Sequence, residues 1–303
     1  MTAPLSIRRD DTDAVRIFVA ATPAEWLPMK VLEFSIRERT ALPVQLSAIY
    51  THARPIPIPR DVANRARTPF SFQRFLIPEL CGYKGKAIYM DADMQVFRDI
   101  SAVWDSPFND SDLQTVSNGT EQRRPQFSVI LMDCARLKWK IEEIINKLDN
   151  GTLTYARLMF DMEVAESVSY SLPQTWNSLE YYEEHTTCLL HYTDMNTQPW
   201  ISLGNVNGHL WVDCLKRALA NGFISKEELN REIEQGHVRP SLASQVSSRS
   251  TPSWKPSMKD ILLDIKFTPP FYAITAQRAG RLKVILSRIF RARQILQLAF
   301  IRR

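Results

Sequence analysis

The chain has 303 residues, 45% of them hydrophobic, and a formal net charge of +5. That size and apolar content suit a globular protein of one or two domains with a large core. No run of eighteen apolar residues is present, which excludes a single-pass membrane helix. The start, MTAPLSIRRDDTD, lacks the apolar stretch of a signal peptide, so a cytoplasmic location is expected. Cys81, Cys134, Cys188 and Cys214 are scattered singly, which argues against a zinc knuckle or a disulfide framework and for reduced core residues. The charge is uneven. After Asp264 come nine basic residues and no acid, so the net +5 leaves the preceding body at −4. A mildly acidic body gives no reason to expect a nucleic-acid partner.

In chain order, VRIFVAA (15–21) is β-branched and almost wholly apolar, as a strand buried on both faces of a parallel sheet requires. Trp26, Met29, Val31, Leu32 and Ile36 then recur at helical spacing, and Pro28 predicts a helix that begins near it. VQLSAIY (44–50) reads as a second strand, completing an α/β unit. RPIPIPR (54–60) is a loop, because its prolines remove ladder donors. SFQRFLIPEL (71–80) predicts a helix interrupted at Pro78, and KAIYMDAD (86–93) another buried strand.

FSVILMDC (127–134) is a further strand, and LKWKIEEIINKLDNG an amphipathic helix stopped by Asn150 and Gly151. A helix is expected over 155–170, and a short strand or loop at CLLHYT. The stretch from 241, rich in Ser and Pro, reads as a linker to 258. The expected organisation is therefore one α/β domain over 1–240, the linker, and a basic tail over 259–303. In that tail Leu282, Ile285, Leu286, Ile289 and Phe290 line one side of an amphipathic helix. Such a helix, free of acids, suits an anionic membrane surface. A helix packed on the domain with solvated arginines is the competing reading.

The most informative stretch is AIYMDADMQVF (87–97). Side chains two apart on a strand share a face, about 6.6 Å apart along the chain, so Asp91 and Asp93 address one pocket. In open α/β sheets ligands bind beyond the carboxyl ends of strands, where this strand delivers both groups. Their repulsion is relieved by a proton or a cation, and paired oxygen ligands favour a hard ion such as Mn²⁺ or Mg²⁺. The pairs Asp11 with Asp13 and Asp110 with Asp112 have the same spacing but lie in polar segments, and read as solvated surface. The bland reading of Asp91 and Asp93 is a residue facing water and a turn cap.

Around this pair the segment TPFSFQRFLIPELCGYKGKAIYMDADMQVFRDI resembles the core of glycosyltransferase family 8, the glycogenin-like and lipopolysaccharide galactosyl- and glucosyltransferase group. FSVILMDCARLKW, LPQTWN and LLHYTDMNTQPW resemble later segments of that family in the same order, covering roughly 15–205. The resemblance implies a GT-A nucleotide-sugar fold, with a mixed, mainly parallel sheet flanked by helices and a C-terminal helical extension. It also implies transfer of a hexose from a nucleotide-diphosphate sugar, with UDP the expected nucleotide and retention at the anomeric carbon. A divalent cation then neutralises the departing diphosphate. The acceptor is left open, and a membrane-binding tail would bring such a transferase to a cell-envelope or lipid-linked glycan.

By position the resemblance implies Asp93 and His191 as metal ligands, Asp91 at the metal or ribose, and Arg74 at the phosphates or Asp91. Ala21 and Thr22 would flank the base, with Ser71, Ala92, Gln126, Asn177, Gln198 and Trp200 completing the nucleotide-sugar site. Viewed singly, His191 and Trp200 read as core residues and Arg74 as a surface charge. The chain departs from the pattern at Asp194 and Gln198, where a glycine and a lysine are usual, and has one residue more before Pro199. The downstream acidic segment is replaced by TYARLMFDME, which offers Asp161 and Glu163 as catalytic groups. The alternatives are a non-catalytic relative that binds partners or membranes, and a metal-dependent nucleotidyltransferase or phosphohydrolase. No glycine-rich phosphate loop supports the nucleotidyltransferase.

Overall fold

The structure is a computed structural model that describes residues 14–52, 54–116, 127–249, 251 and 254–272, with isolated positions 285, 286, 289 and 293. Strand β1 (Val15–Ala20) alternates between two cores: Val15, Ile17 and Val19 face one, Phe18 and Ala20 the other. Helix α1 (Trp26–Arg37) follows, entered through a short 3₁₀ turn over Pro23–Glu25, so Pro28 sits in its first turn, where its missing N–H costs nothing. Strand β2 (Val44–Ala48) is shorter than expected because Ile49–Thr51 tightens into a 3₁₀ turn.

Pro78 likewise opens a helix rather than interrupting one: a 3₁₀ turn over Gln73–Leu76 leads into α2 (Ile77–Leu80). Strand β3 (Lys86–Asp91) then runs through the centre of the sheet, and a bend at Ala92–Asp93 leads to β4 (Met94–Val96). Helix α3 (Ser101–Trp104), β5 (Leu113–Val116) and β6 (Val129–Asp133) follow. Helix α4 (Ile141–Asp149) buries Ile141, Ile144, Ile145 and Leu148 on one side and ends at Gly151, whose φ of +78° suits glycine.

The expected helix over 155–170 is realised only as α5 (Tyr155–Phe160). The chain reverses at Met162, with φ +51°, and the stretch from Val168 to Leu172 becomes strand β7. Strands β8 (Ser178–Leu179) and β9 (Leu189–His191) come next, followed by α6 (Gly208–Ala220), α7 (Lys226–Glu234), α8 (Leu242–Ser247) and α9 (Met258–Lys266). The main sheet has the order β2-β1-β3-β6-β5-β7, with β6 antiparallel to its neighbours, so it is mixed and mainly parallel. A second sheet, β4-β9-β8, packs on α1 and carries His191 back to the end of β3.

Two further expectations are corrected. Asp112 is buried: it pairs with Arg136 at 2.8 Å and accepts bonds from the backbone N–H of Glu166 and Ser167. It is thus a pin between β5 and the entry to β7, not solvated surface. The Ser-rich stretch from 241 is not a plain linker either. Ser241 and Leu242 are fully buried, and Asp264 of α9 accepts from both the N–H and the hydroxyl of Ser241. Serine there satisfies a buried carboxylate, which composition alone does not distinguish from solvation.

Most of the basic tail lies outside the described residues, as do Leu282 and Phe290. Of its expected apolar side, Ile285, Leu286 and Ile289 are helical and exposed. No helix among the described residues is long and apolar enough to cross a membrane.

Candidate active site

The topology concentrates polar groups where β1 and β3 end. Ala20 pairs with Asp91 in parallel register, and Met94 pairs with His191 in the antiparallel one, so the two sheets meet at the bend between them. There Asp91, Asp93 and His191 each present one ligand atom within 4.8 Å of the others. His191 Nε2 lies 3.0 Å from an Asp93 oxygen and 4.0 Å from one of Asp91. The main-chain bond from Tyr192 N–H to the Asp93 carbonyl, 2.9 Å, fixes the bend.

Each of the three is held from behind. The Asn177 side-chain oxygen meets His191 Nδ1 at 2.9 Å, which makes Nδ1 the protonated nitrogen and leaves Nε2 as the ligand atom facing the carboxylates. The Tyr89 hydroxyl donates to Asp91, and burial pushes that phenol well above its ordinary pKa, so it stays a donor. Arg74 stacks on the Tyr89 ring, donates to the Phe127 carbonyl at 2.7 Å and lies 3.9 Å from Asp91. It is buried and supports the first aspartate from beneath. Gln198 donates to Asp93 at 3.0 Å and to the Tyr192 carbonyl at 3.0 Å, so its amide is spent on holding a ligand.

A cleft of about 250 Å³ opens over the cluster. Asp91, Ala92, Asp93, His191, Gln198 and Trp200 line it, together with Ala20, Glu25, Thr68, Phe70, His237 and Phe271. Among the described residues that line it there is no Lys or Arg. Burial pushes the Glu25 carboxyl above its usual range; bonds from Thr22 oppose the shift and the Asp93 charge adds to it.

The remaining expected site residues are placed as follows. Ala21 is fully buried with its N–H and C=O both bonded to the Gln73 side chain, and Thr22 caps the turn that carries Glu25. Ser71 closes a turn with Thr68, whose side chain reaches the cleft. Asn177 acts behind His191. Asp161 terminates α5 and Glu163 pairs with Arg157; neither lines the cleft. Gln126 lies outside the described residues. Sequence reading missed Gln73, Tyr89, Glu25 and His237, because a buried amide, a strand tyrosine and polar residues on helical turns carry no spacing signal.

The donor set fits a divalent cation: two carboxylates and an imidazole with its other nitrogen bound, each buttressed by a second hydrogen bond. Residues 60–152 match the family described as glycosyl transferase family 8. Protein CDI of Arabidopsis thaliana is 28% identical over 244 residues, covering 72% of this chain and 88% of that protein. Among solved structures, an active-site mutant of LgtC superposes with a TM-score of 0.51 at 12% identity, over 72% of this chain and 100% of that one. The bifunctional glycosyltransferase WbbM gives a TM-score of 0.50 at 13% identity over 76% of this chain. GlyE of Streptococcus pneumoniae gives 0.50 at 16% identity, also over 76%. The chain spans about half the length of WbbM (53%) and 65% of GlyE. These likenesses establish the GT-A fold.

Proposed function

We propose, from the premise that residues 60–152 are glycosyl transferase family 8 sequence on a GT-A fold, that this glycosyltransferase moves a hexose from a nucleotide-diphosphate sugar, with a divalent cation bound by Asp91, Asp93 and His191. The single observation that carries the reading is the convergence of those three ligand atoms at the end of β3, inside the cleft. Mn²⁺ or Mg²⁺ suits two carboxylate oxygens and one imidazole. When bound, the cation offsets the charge that develops on the departing diphosphate.

The chain's own residues do the rest. Asn177 holds the His191 ring so that Nε2 stays available, Tyr89 and Arg74 fix Asp91, and Gln198 fixes Asp93. Positioning of this kind costs nothing at the moment of reaction, because the dipoles are already aligned. UDP is the proposed nucleotide and a cell-envelope or lipid-linked glycan the proposed acceptor. Peripheral attachment to the cytoplasmic face of a membrane through the basic tail is supported by its charge and by exposed Ile285, Leu286 and Ile289.

Calorimetry with Mn²⁺ and UDP, followed by an assay of donor hydrolysis, tests the reading. Metal-dependent UDP binding with hydrolysis is the expected result. Binding without hydrolysis or transfer favours a non-catalytic relative, in keeping with the position of Asp161 and Glu163 away from the cleft. Absence of both overturns the proposal.

A further inference from the structure

The cleft has a charge problem. Its described lining includes the carboxylates of Asp91, Asp93 and Glu25 and no Lys or Arg. The position where a lysine is expected holds Gln198, whose amide is engaged with Asp93 and the Tyr192 carbonyl. A diphosphate leaving group carries more negative charge than the donor it came from, and among the described lining residues no Lys or Arg adds to a cation with three protein ligands, two of them anionic. Apart from His191, the histidine that lines the cleft is His237.

His237 is a built position. Helix α7 ends in a glycine turn: Gly236 has φ +70°, its N–H bonds the Ile233 carbonyl at 3.0 Å, and the His237 N–H bonds the Glu232 carbonyl at 3.0 Å. The side chain returns to the same residue, with His237 Nδ1 2.8 Å from a Glu232 carboxylate oxygen. Glu232 is buried, its side chain 4% exposed, and Arg231 is its other neighbour at 3.8 Å. Nδ1 is thus the donor to a buried acid, and Nε2 is the polar atom the ring has left for a ligand. The turn runs beside the Trp200 segment, since Arg239 N–H bonds the Trp200 carbonyl at 2.8 Å. Trp200 and Ile201, like His237, face the cleft.

We infer that His237, oriented by the buried Glu232 carboxylate, is a side-chain contact for the diphosphate of the nucleotide in this chain. It offers from the end of α7 the contact that Gln198, engaged with Asp93 and the Tyr192 carbonyl, does not make. The inference rests on the donor-site reading above. Substitution at 237 spares the turn, because Gly236 and a backbone N–H supply the helix stop whatever side chain follows.

The test is UDP affinity by calorimetry in saturating Mn²⁺ for the full chain and for His237→Ala and His237→Lys, with thermal melts of each. Loss of a charge-assisted hydrogen bond weakens binding by about tenfold or more in His237→Ala, and His237→Lys recovers most of it. His237→Ala binding within about twofold of the parent, or His237→Lys as weak as His237→Ala, overturns the inference while leaving the donor site intact. A purely structural residue gives the second pattern with lowered melting temperatures. A parent chain that binds no UDP with any divalent ion overturns the donor-site reading and this inference with it.

Discussion

Asn177 shows how a neutral side chain sets the chemistry of a charged site. Its bond to His191 Nδ1 selects the tautomer whose Nε2 faces Asp91 and Asp93. Asn177→Ala removes that selection, and Mn²⁺ affinity by calorimetry is expected to fall about 10- to 100-fold with the fold retained. Asp93→Ala removes a ligand outright and is expected to abolish metal-dependent UDP binding in the same assay. Glu25 bears on pH. Because burial raises its carboxyl above the usual value of 4.5, the folded chain holds its proton more tightly than the unfolded one. Stability from this group is therefore complete below that value and lost as pH rises through the folded value. Glu25→Gln, which keeps an acceptor for the Thr22 N–H, is expected to melt progressively higher than the parent as pH climbs from 4.5 and to hold a constant lead beyond.

At the scale of elements, legibility followed burial on both faces. β1, β3 and β6 are short, largely apolar runs in the middle of the sheet, the pattern of strands buried on both faces. β5 and β7 escaped notice. β5 buries Gln114 and Thr115, whose side chains find their own partners in Ser106, the Pro107 carbonyl and the Val129 carbonyl. β7 is a half-exposed edge with serines where a polar stretch reads as helix or loop. The pair at the end of β3 was legible because a buried strand preceded it; Asp112 was misread because its partner, Arg136, comes from a distant segment. Two substitutions probe this scale. Ile88→Ala in the middle of β3, fully buried, is expected to cost about 2–5 kcal/mol in denaturant melts. Asp264→Ala strands the Ser241 N–H and hydroxyl inside the protein and is expected to cost about 1–3 kcal/mol, loosening α9 first in hydrogen exchange.

Across the whole molecule, the two ends of the chain carry opposite electrostatic roles. The body up to Asp264 is acidic at −4 and gathers acids at the cleft, while the segment beyond it is basic at +9. Attraction between such surfaces is screened within about 8 Å at physiological salt, so the tail acts on what lies beside it. Flotation with vesicles containing phosphatidylserine is expected to recover the full chain at low salt and to lose it as salt rises; a chain ending at Tyr272 should stay in solution throughout.

Phe271 lies 251 positions after Ala20, yet the two wall the same cavity. A copy that stops before Phe271 therefore lacks one side of this pocket. If the pocket takes a nucleotide as proposed, such a copy offers it only an unfinished wall.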